Sequence, residues 1–186
     1  MGSNPILGTI RKEEIMNYIF LDIDGVMNNQ EDWLWKVKND MEQFKDHCMF
    51  CDEAWGMLAN VCQLTGAKVI LSSSWRSGIV ECQEEGCLPQ FKPRAYNDYH
   101  SMKLLQYFSY YGIELAGLTT RHYDWRGKQI IEYVRRNFTP EDKWVVLDDE
   151  ACDMYGVPEA QMIKTEWLTG LLPEHCERIV NYFKGE

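Results

Sequence analysis

Tyr18-Ile19-Phe20-Leu21-Asp22-Ile23-Asp24-Gly25-Val26 is the stretch that decides the reading of this chain. Its first four residues are apolar, aromatic or β-branched apart from one Leu, which is the pattern of a short buried strand. Two carboxylates at i and i+2 follow, then a Gly that lets the chain turn away sharply. Alternation along a strand sets Asp22 and Asp24 on one face, just past the strand's carboxyl end. Open α/β sheets place their ligands at that end. Paired carboxylates suit a hard cation such as Mg²⁺, which takes oxygen ligands and offsets their mutual repulsion. One carboxylate could then attack phosphorus while the other handles a proton. The plain alternative is a strand followed by an Asp-Gly turn, and the rest of the chain has to decide between the two.

Three later stretches bear on it. Lys68-Val69-Ile70-Leu71 reads as a second strand and runs straight into Ser72-Ser73-Ser74-Trp75-Arg76. Hydroxyls and main-chain amides at a strand end suit an anionic oxygen, although a Ser-rich turn capping a helix has the same composition. Arg126-Gly127-Lys128 opens a helix whose apolar face carries Ile130, Ile131, Tyr133 and Val134. A Lys in a helix's first turn works against the macrodipole by a few tenths of a kcal/mol, so either it meets an anion or it is a solvated surface lysine. Trp144-Val145-Val146-Leu147 is a further strand ending in Asp148-Asp149-Glu150, with Asp153 beyond. Two strands that both end in paired acids are hard to explain without a cation between them.

Between these landmarks the pattern alternates. Residues 52–65 read as a helix, capped by Asp52 and stopped by Gly66. Residues 100–111 read as another, closed by Gly112, and residues 113–118 as a strand. Residues 161–164 are a weak strand, and residues 173–183 a closing amphipathic helix with Pro173 in its first turn. Residues 78–98 read as irregular. Strands alternating with helices predict an α/β protein with a mainly parallel sheet flanked by helices. Residues 27–52 are a polar and aromatic excursion, including Trp33, Trp35, Phe44, Met49 and Phe50, read as a small helical insertion overhanging the site. Most of its aromatics are expected to pack on the body.

With 186 residues the chain fits one domain, residues 16–186, preceded by a leader or N-terminal arm over residues 1–15. Hydrophobic residues at 45% and aromatics at 13% describe a globular protein. A net charge of −10 argues against a broad surface for duplex nucleic acid, but leaves room for a phosphate or strand end in a local positive pocket. No apolar run approaches the roughly 20 residues of a membrane span. Seven cysteines without a disulfide spacing suggest a reducing, cytoplasmic setting. Cys48 and Cys51 form a lone Cys-x-x-Cys; zinc would need further ligands from Cys62, Cys82 or Cys87, so ordinary thiols are expected.

Taken in order, the four stretches resemble the haloacid dehalogenase-like (HAD) superfamily, whose commonest members are Mg²⁺-dependent phosphatases with a Rossmann-like fold. Its motifs correspond here to Asp22/Asp24, Ser73 (or Ser72), Lys128 and Asp148/Asp149, and span residues 18–153. Ser-Ser-Ser-Trp-Arg, Arg-Gly-Lys, Leu-Asp-Asp, and later Lys164-Thr165 with Gly170-Leu171, resemble a narrower branch of small HAD domains associated with RNA repair and polynucleotide 3′-end phosphatases. The resemblance implies that Asp22 attacks phosphorus to give an aspartyl-phosphate, and that Asp24 protonates the leaving oxygen and then activates water. It implies phosphate contacts from Ser73 (or Ser72) and Lys128. It implies an Mg²⁺ held by Asp22, Asp148, the main-chain carbonyl of Asp24 and, directly or indirectly, Asp149. Asp24 is also what separates the hydrolases of this superfamily from its dehalogenases. With so short an insertion the site should be open to bulky substrates. Trp33, Trp35 and Trp75 could then stack on bases, and Arg76, Arg121 and Arg126 could meet a nucleic acid backbone. The alternatives are a nucleotide or other small phosphomonoester and, from another class, a non-catalytic binding module on the same fold. Oligomeric state is not legible.

Overall fold

A computed structural model of the protein describes residues 15–39, 50–82, 89–122 and 124–186. The proposed N-terminal arm (apart from Ile15), Phe44, Cys48, Met49 and Cys87 lie outside the described residues.

Five short strands form the central sheet: β1 (Asn17–Leu21), β2 (Lys68–Leu71), β5 (Leu115–Leu118), β6 (Lys143–Asp148) and β7 (Met162–Lys164). Their spatial order is β5-β2-β1-β6-β7, and every neighbouring pair is parallel. β1, the most apolar run, is central. The chain moves outward from β1 through β2 to β5, then returns to the other side of β1 as β6. That reversal makes the carboxyl ends of β1 and β6 a topological switch point, where sheets of this type open a crevice.

Both faces of the sheet are covered, which is why its strands read as continuous apolar runs. Ile19, Leu21, Val69, Leu71, Val145 and Leu147 pack toward α2 (Asp52–Thr65), α3 (Tyr99–Tyr110) and α5 (Pro173–Lys184). Phe20, Ile70 and Val146 point the other way, against α4 (Arg126–Asn137) through Ile130, Tyr133 and Val134. Each such side chain contributes about 1.5–3 kcal/mol on burial. The register pairs Leu21 with both Leu71 and Leu147, so the next residues, Asp22, Ser72 and Asp148, come level at the carboxyl edge. They continue the alternation that faces α4.

The helices fall where the sequence pattern set them, with small corrections. The residue capping α2 is Cys51, not Asp52, and no side chain caps that end; Gly66 does close it, in the left-handed conformation at φ 65°. Residues 78–98 are less irregular than expected: β3 (Ile79–Cys82) and β4 (Gln90–Pro93) pair as an antiparallel ribbon. Pro93 is tolerated there because it ends an outer strand of a two-stranded ribbon. In the excursion, α1 (Gln30–Asn39) has no buried residue, whereas Phe50 is fully buried against Trp55, Trp75 and Tyr107. Among the described residues no helix is long and apolar enough to cross a membrane.

Candidate active site

The carboxyl edge of β1 and β6 gathers Asp22, Asp148 and Asp149, each offering a carboxylate oxygen within 4.8 Å of the others. Asp22 and Asp148 are buried, at 5% and 0% exposure. Two such charges cannot sit together in a low-dielectric edge without a positive partner. Arg126, the first residue of α4, supplies it. Its Nη1 lies 2.7 Å from Asp22 Oδ2 and 2.5 Å from Asp148 Oδ2, and its Nε is 4.0 Å from Asp153. Burial and the charge of Asp22 push the Asp148 carboxyl upward, against the opposing pull of Arg126 and the Glu150 amide. Asp149 is raised for the same two reasons. Burial by itself would lower the Arg126 guanidinium, but Asp22 and Asp148 together hold it above its ordinary value.

Two glycines make this convergence possible. Gly25 has φ 71°, and a Cβ there would lie 2.3 Å from Asp149 Oδ2, so the turn after β1 and the acidic loop after β6 can meet only without a side chain. Gly127 does the same for α4: a Cβ would sit 2.4 Å from the Met154 carbonyl carbon, and the Gly127 amide donates to Asp153 O at 3.0 Å. The start of α4 is thereby drawn onto the loop after β6, and Arg126 into the acids.

Asp24 stands apart from the three-carboxylate group. Its Oδ1 accepts from Asn28 Nδ2 at 2.8 Å and its Oδ2 from Trp75 Nε1 at 2.9 Å. Asn28 Oδ1 in turn accepts from the Gly25 amide at 3.0 Å. The two aspartates of the first motif therefore have different surroundings, one among acids and a guanidinium, the other held by neutral donors. Thr165 and Leu171 fasten the same turn from the other side, through Thr165 Oγ1 to Gly25 O (2.8 Å) and Leu171 N to Val26 O (3.0 Å).

Ser72 and Ser73 are fully buried, whereas Ser74 is exposed. Ser73 Oγ accepts from the Trp75 amide at 3.4 Å and caps the short 3₁₀ turn Ser74–Gly78, while Ser72 Oγ has no hydrogen-bond partner. Under the serines lies Arg76, only 7% exposed, donating to Ser72 O, Ser73 O, Thr119 O and Gln129 Oε1. Burial, with Arg121 and Arg126 nearby, pushes its guanidinium down to about 10. It ties the ends of β2, β5 and α4 into one support.

The other expected residues are placed as follows. Lys128 is exposed and, among the described residues, joins no ion pair or hydrogen bond, so it is not part of the acidic cluster. At 3.6 residues per turn it lies roughly 200° around α4 from Arg126, the residue that pairs with the acids. Arg76 is a buried brace and not a surface contact for a backbone. Trp75 donates to Asp24 and packs on Phe50 and His100, so its indole holds that carboxylate instead of standing free as expected. The Asp24 carboxylate lies outside the metal-type cluster, and the ligand role expected of this residue was for its main-chain carbonyl only. Cys51 and Cys62, for their part, have thiols raised by burial, Cys62 to about 12, and neither belongs to the cluster. Asn28, and Trp75 as a holder of Asp24, were missed as site residues; Asn28 was signalled only by its place four residues after Asp24, and Thr165 was a landmark of the resemblance with no role assigned to it.

A parallel sheet with acids converging at its switch point, beside a separately held Asp, makes a site that could hold a cation and meet an anionic group. The chain matches the family model described as HAD domain in Swiss Army Knife RNA repair proteins over residues 18–176, and it belongs to that family. Membership makes it a HAD-superfamily domain of phosphatase type, whose substrates as a class are phosphorylated. No curated protein and no solved structure matches it significantly.

Proposed function

We propose that the protein is a Mg²⁺-dependent phosphomonoesterase that works through an aspartyl-phosphate on Asp22 and acts on nucleic acid 3′-phosphate ends. The observation that carries this reading is the pairing of a tight carboxylate group, Asp22, Asp148 and Asp149 within 4.8 Å, with an Asp24 carboxyl held apart from it by Trp75 and Asn28. The donor set fits a hard divalent ion: three carboxylates, no thiol or imidazole, at an edge where a guanidinium already answers a demand for positive charge. Asp22, Asp148 and Asp149 would hold it, with the Asp24 carbonyl, and when bound it lowers the repulsion between Asp22 and an anionic substrate.

The remaining chemistry belongs to the chain. An Asp22 oxygen attacks phosphorus in line as the ester P–O bond breaks, and Asp24 gives its proton to the departing oxygen. Asp24, now ionised, takes a proton from the water that attacks the phosphorus of the acyl phosphate, which frees inorganic phosphate and restores Asp22. Arg126 and the hydroxyl of Ser72 or Ser73 stabilise the phosphoryl oxygens, where charge resides in a loose transition state. The family's description supports nucleic acid ends as the substrate class. The net charge of −10 favours a second reading, a nucleotide or other small phosphomonoester with little backbone contact. A cytoplasmic setting accords with either.

The test is phosphate release with and without Mg²⁺ across 3′-phosphorylated oligonucleotides, mononucleotides and sugar phosphates, for the native protein and Asp22→Asn. Release that needs Mg²⁺, falls by roughly a thousandfold or more in the variant and is fastest on oligonucleotide ends supports the proposal. Preference for a mononucleotide moves it to the second reading. No release from any ester returns the domain to a binding role.

A further inference from the structure

Immediately beside Asp24 lies a cavity of about 310 Å³ lined by Asp24, Asn28, Asn29, Gln30, Trp33 and Trp167. We infer that this cavity receives the nucleobase of the nucleotide that carries the scissile phosphate, with Trp33 and Trp167 as its stacking surfaces. The inference rests on the reading of Asp24 as the group that faces the leaving oxygen.

The two tryptophans come from segments far apart in sequence that the backbone stitches together. Gln30 N donates to Trp167 O at 3.2 Å and Glu31 N to Leu168 O at 3.1 Å, just where α1 begins. The Thr165 and Leu171 bonds to the Gly25–Val26 turn anchor the other end of the same loop. The cavity's walls are thus tied to the strand-end turn that carries Asp24, and a group seated there has a fixed relation to that carboxyl. Trp33 is 40% exposed and Trp167 53%, so each indole keeps surface that no core contact uses. Indoles stack on any base, because every base has a π face.

Charge selects the occupant. Among the described residues the only ionisable group in the lining is Asp24, and no described Lys, Arg or His lines the cavity. A further phosphate would meet a carboxylate and no partner. An uncharged planar ring meets apolar walls and amides instead. Of those amides, Asn28 is spent on Asp24 and Gly25, and Asn29 Oδ1 accepts from the Asp32 amide, while the Gln30 carboxamide has no hydrogen-bond partner among the described residues. Gln30 is therefore free to meet a base edge. The volume lies at the small end of the roughly 300–1,000 Å³ typical of small-molecule sites, enough for one nucleoside and too little for a folded strand.

Two measurements decide it. In steady-state phosphate release, the ratio of KM for a 3′-phosphorylated nucleoside to KM for the same sugar phosphate without a base is compared across variants. Trp33→Ala and Trp167→Ala should each raise that ratio about tenfold, Trp33→Phe should restore most of the loss, and Trp35→Ala, exposed and outside the cavity, should leave it unchanged. A KM rise shared equally by both esters overturns the inference. Separately, calorimetric titration of adenosine into Asp22→Asn protein reads the cavity without turnover. Saturable binding weakened about tenfold by Trp33→Ala or Trp167→Ala supports the assignment even if no ester is hydrolysed, in which case only the phosphatase reading fails. No adenosine binding, or binding indifferent to both tryptophans, overturns it.

Discussion

The carboxyl edge of the sheet and the aromatic rim above it are built on opposite terms. At the edge, Asp22, Asp148, Ser72 and Ser73 are at most 5% exposed, and the carbonyls of the two serines are tied by the buried Arg76. At the rim, α1 buries no residue, and Trp33, Trp35 and Trp167 are 40%, 65% and 53% exposed. Charges that must act on a reacting atom gain from a dry, pre-set edge, because electrostatic effects are larger there and nothing has to reorganise. A surface that meets a partner gains from staying open. The difference assigns chemistry to the edge and selection to the rim.

The comparison breaks first at Arg76. Arg76→Met leaves three carbonyls and the Gln129 amide oxygen without this buried donor, and should cost about 3 kcal/mol in urea unfolding; a loss under about 1 kcal/mol would mean the edge is not held from below. Next, Arg126 and Lys128 separate position from composition. Arg126→Met should lower phosphate release about a hundredfold, while Lys128→Met stays within about twofold; the reverse order would return the anion-binding role to the lysine. Gly25→Ala tests how closely the two acidic loops must approach. A left-handed φ plus a contact at 2.3 Å to Asp149 should cost about 1–3 kcal/mol and weaken Mg²⁺ retention, read by thermal unfolding with and without the ion.

The smallest effect lies at the start of α5. His175 Nδ1 accepts from the Leu172 amide at 3.0 Å, and burial, assisted by Arg178, lowers the imidazole below its ordinary value of 6.5 against the pull of Glu174 and Glu166. The unfolded chain therefore takes up the proton first as pH falls. The contribution is complete above pH 6.5 and is lost progressively below it. His175→Ala should cost about 0.5–1 kcal/mol at pH 7.5 and less at pH 5.5, by urea unfolding at both values. A cost that grows on acidification would contradict the sign.

Much of the edge was legible because strand period and motif spacing are local properties. The bounds of α2, β2 and α4 follow from apolar runs and their punctuation, and Asp22, Asp148 and Asp149 from their places at strand ends. The ribbon of β3 and β4 was not legible, since Pro, Gly and charged residues there mask a pairing that depends on α3 beneath it. That Arg126, and not Lys128, meets the acids was not legible, because a motif counts residues along the chain whereas a helix distributes them around an axis.

By itself the sequence determined that strands would alternate with helices, that two strands would end in acids, and that those acids would need a positive partner. These follow from periodicity and from Coulomb repulsion, which act within a few residues. Only the tertiary structure decided which cation answers the acids, which of the first two aspartates joins them, and that Trp33 and Trp167, 134 positions apart, flank one cavity. Those outcomes depend on register across β1, β2 and β6 and on two glycines that admit close approach. Both are relations between distant segments that no local pattern encodes.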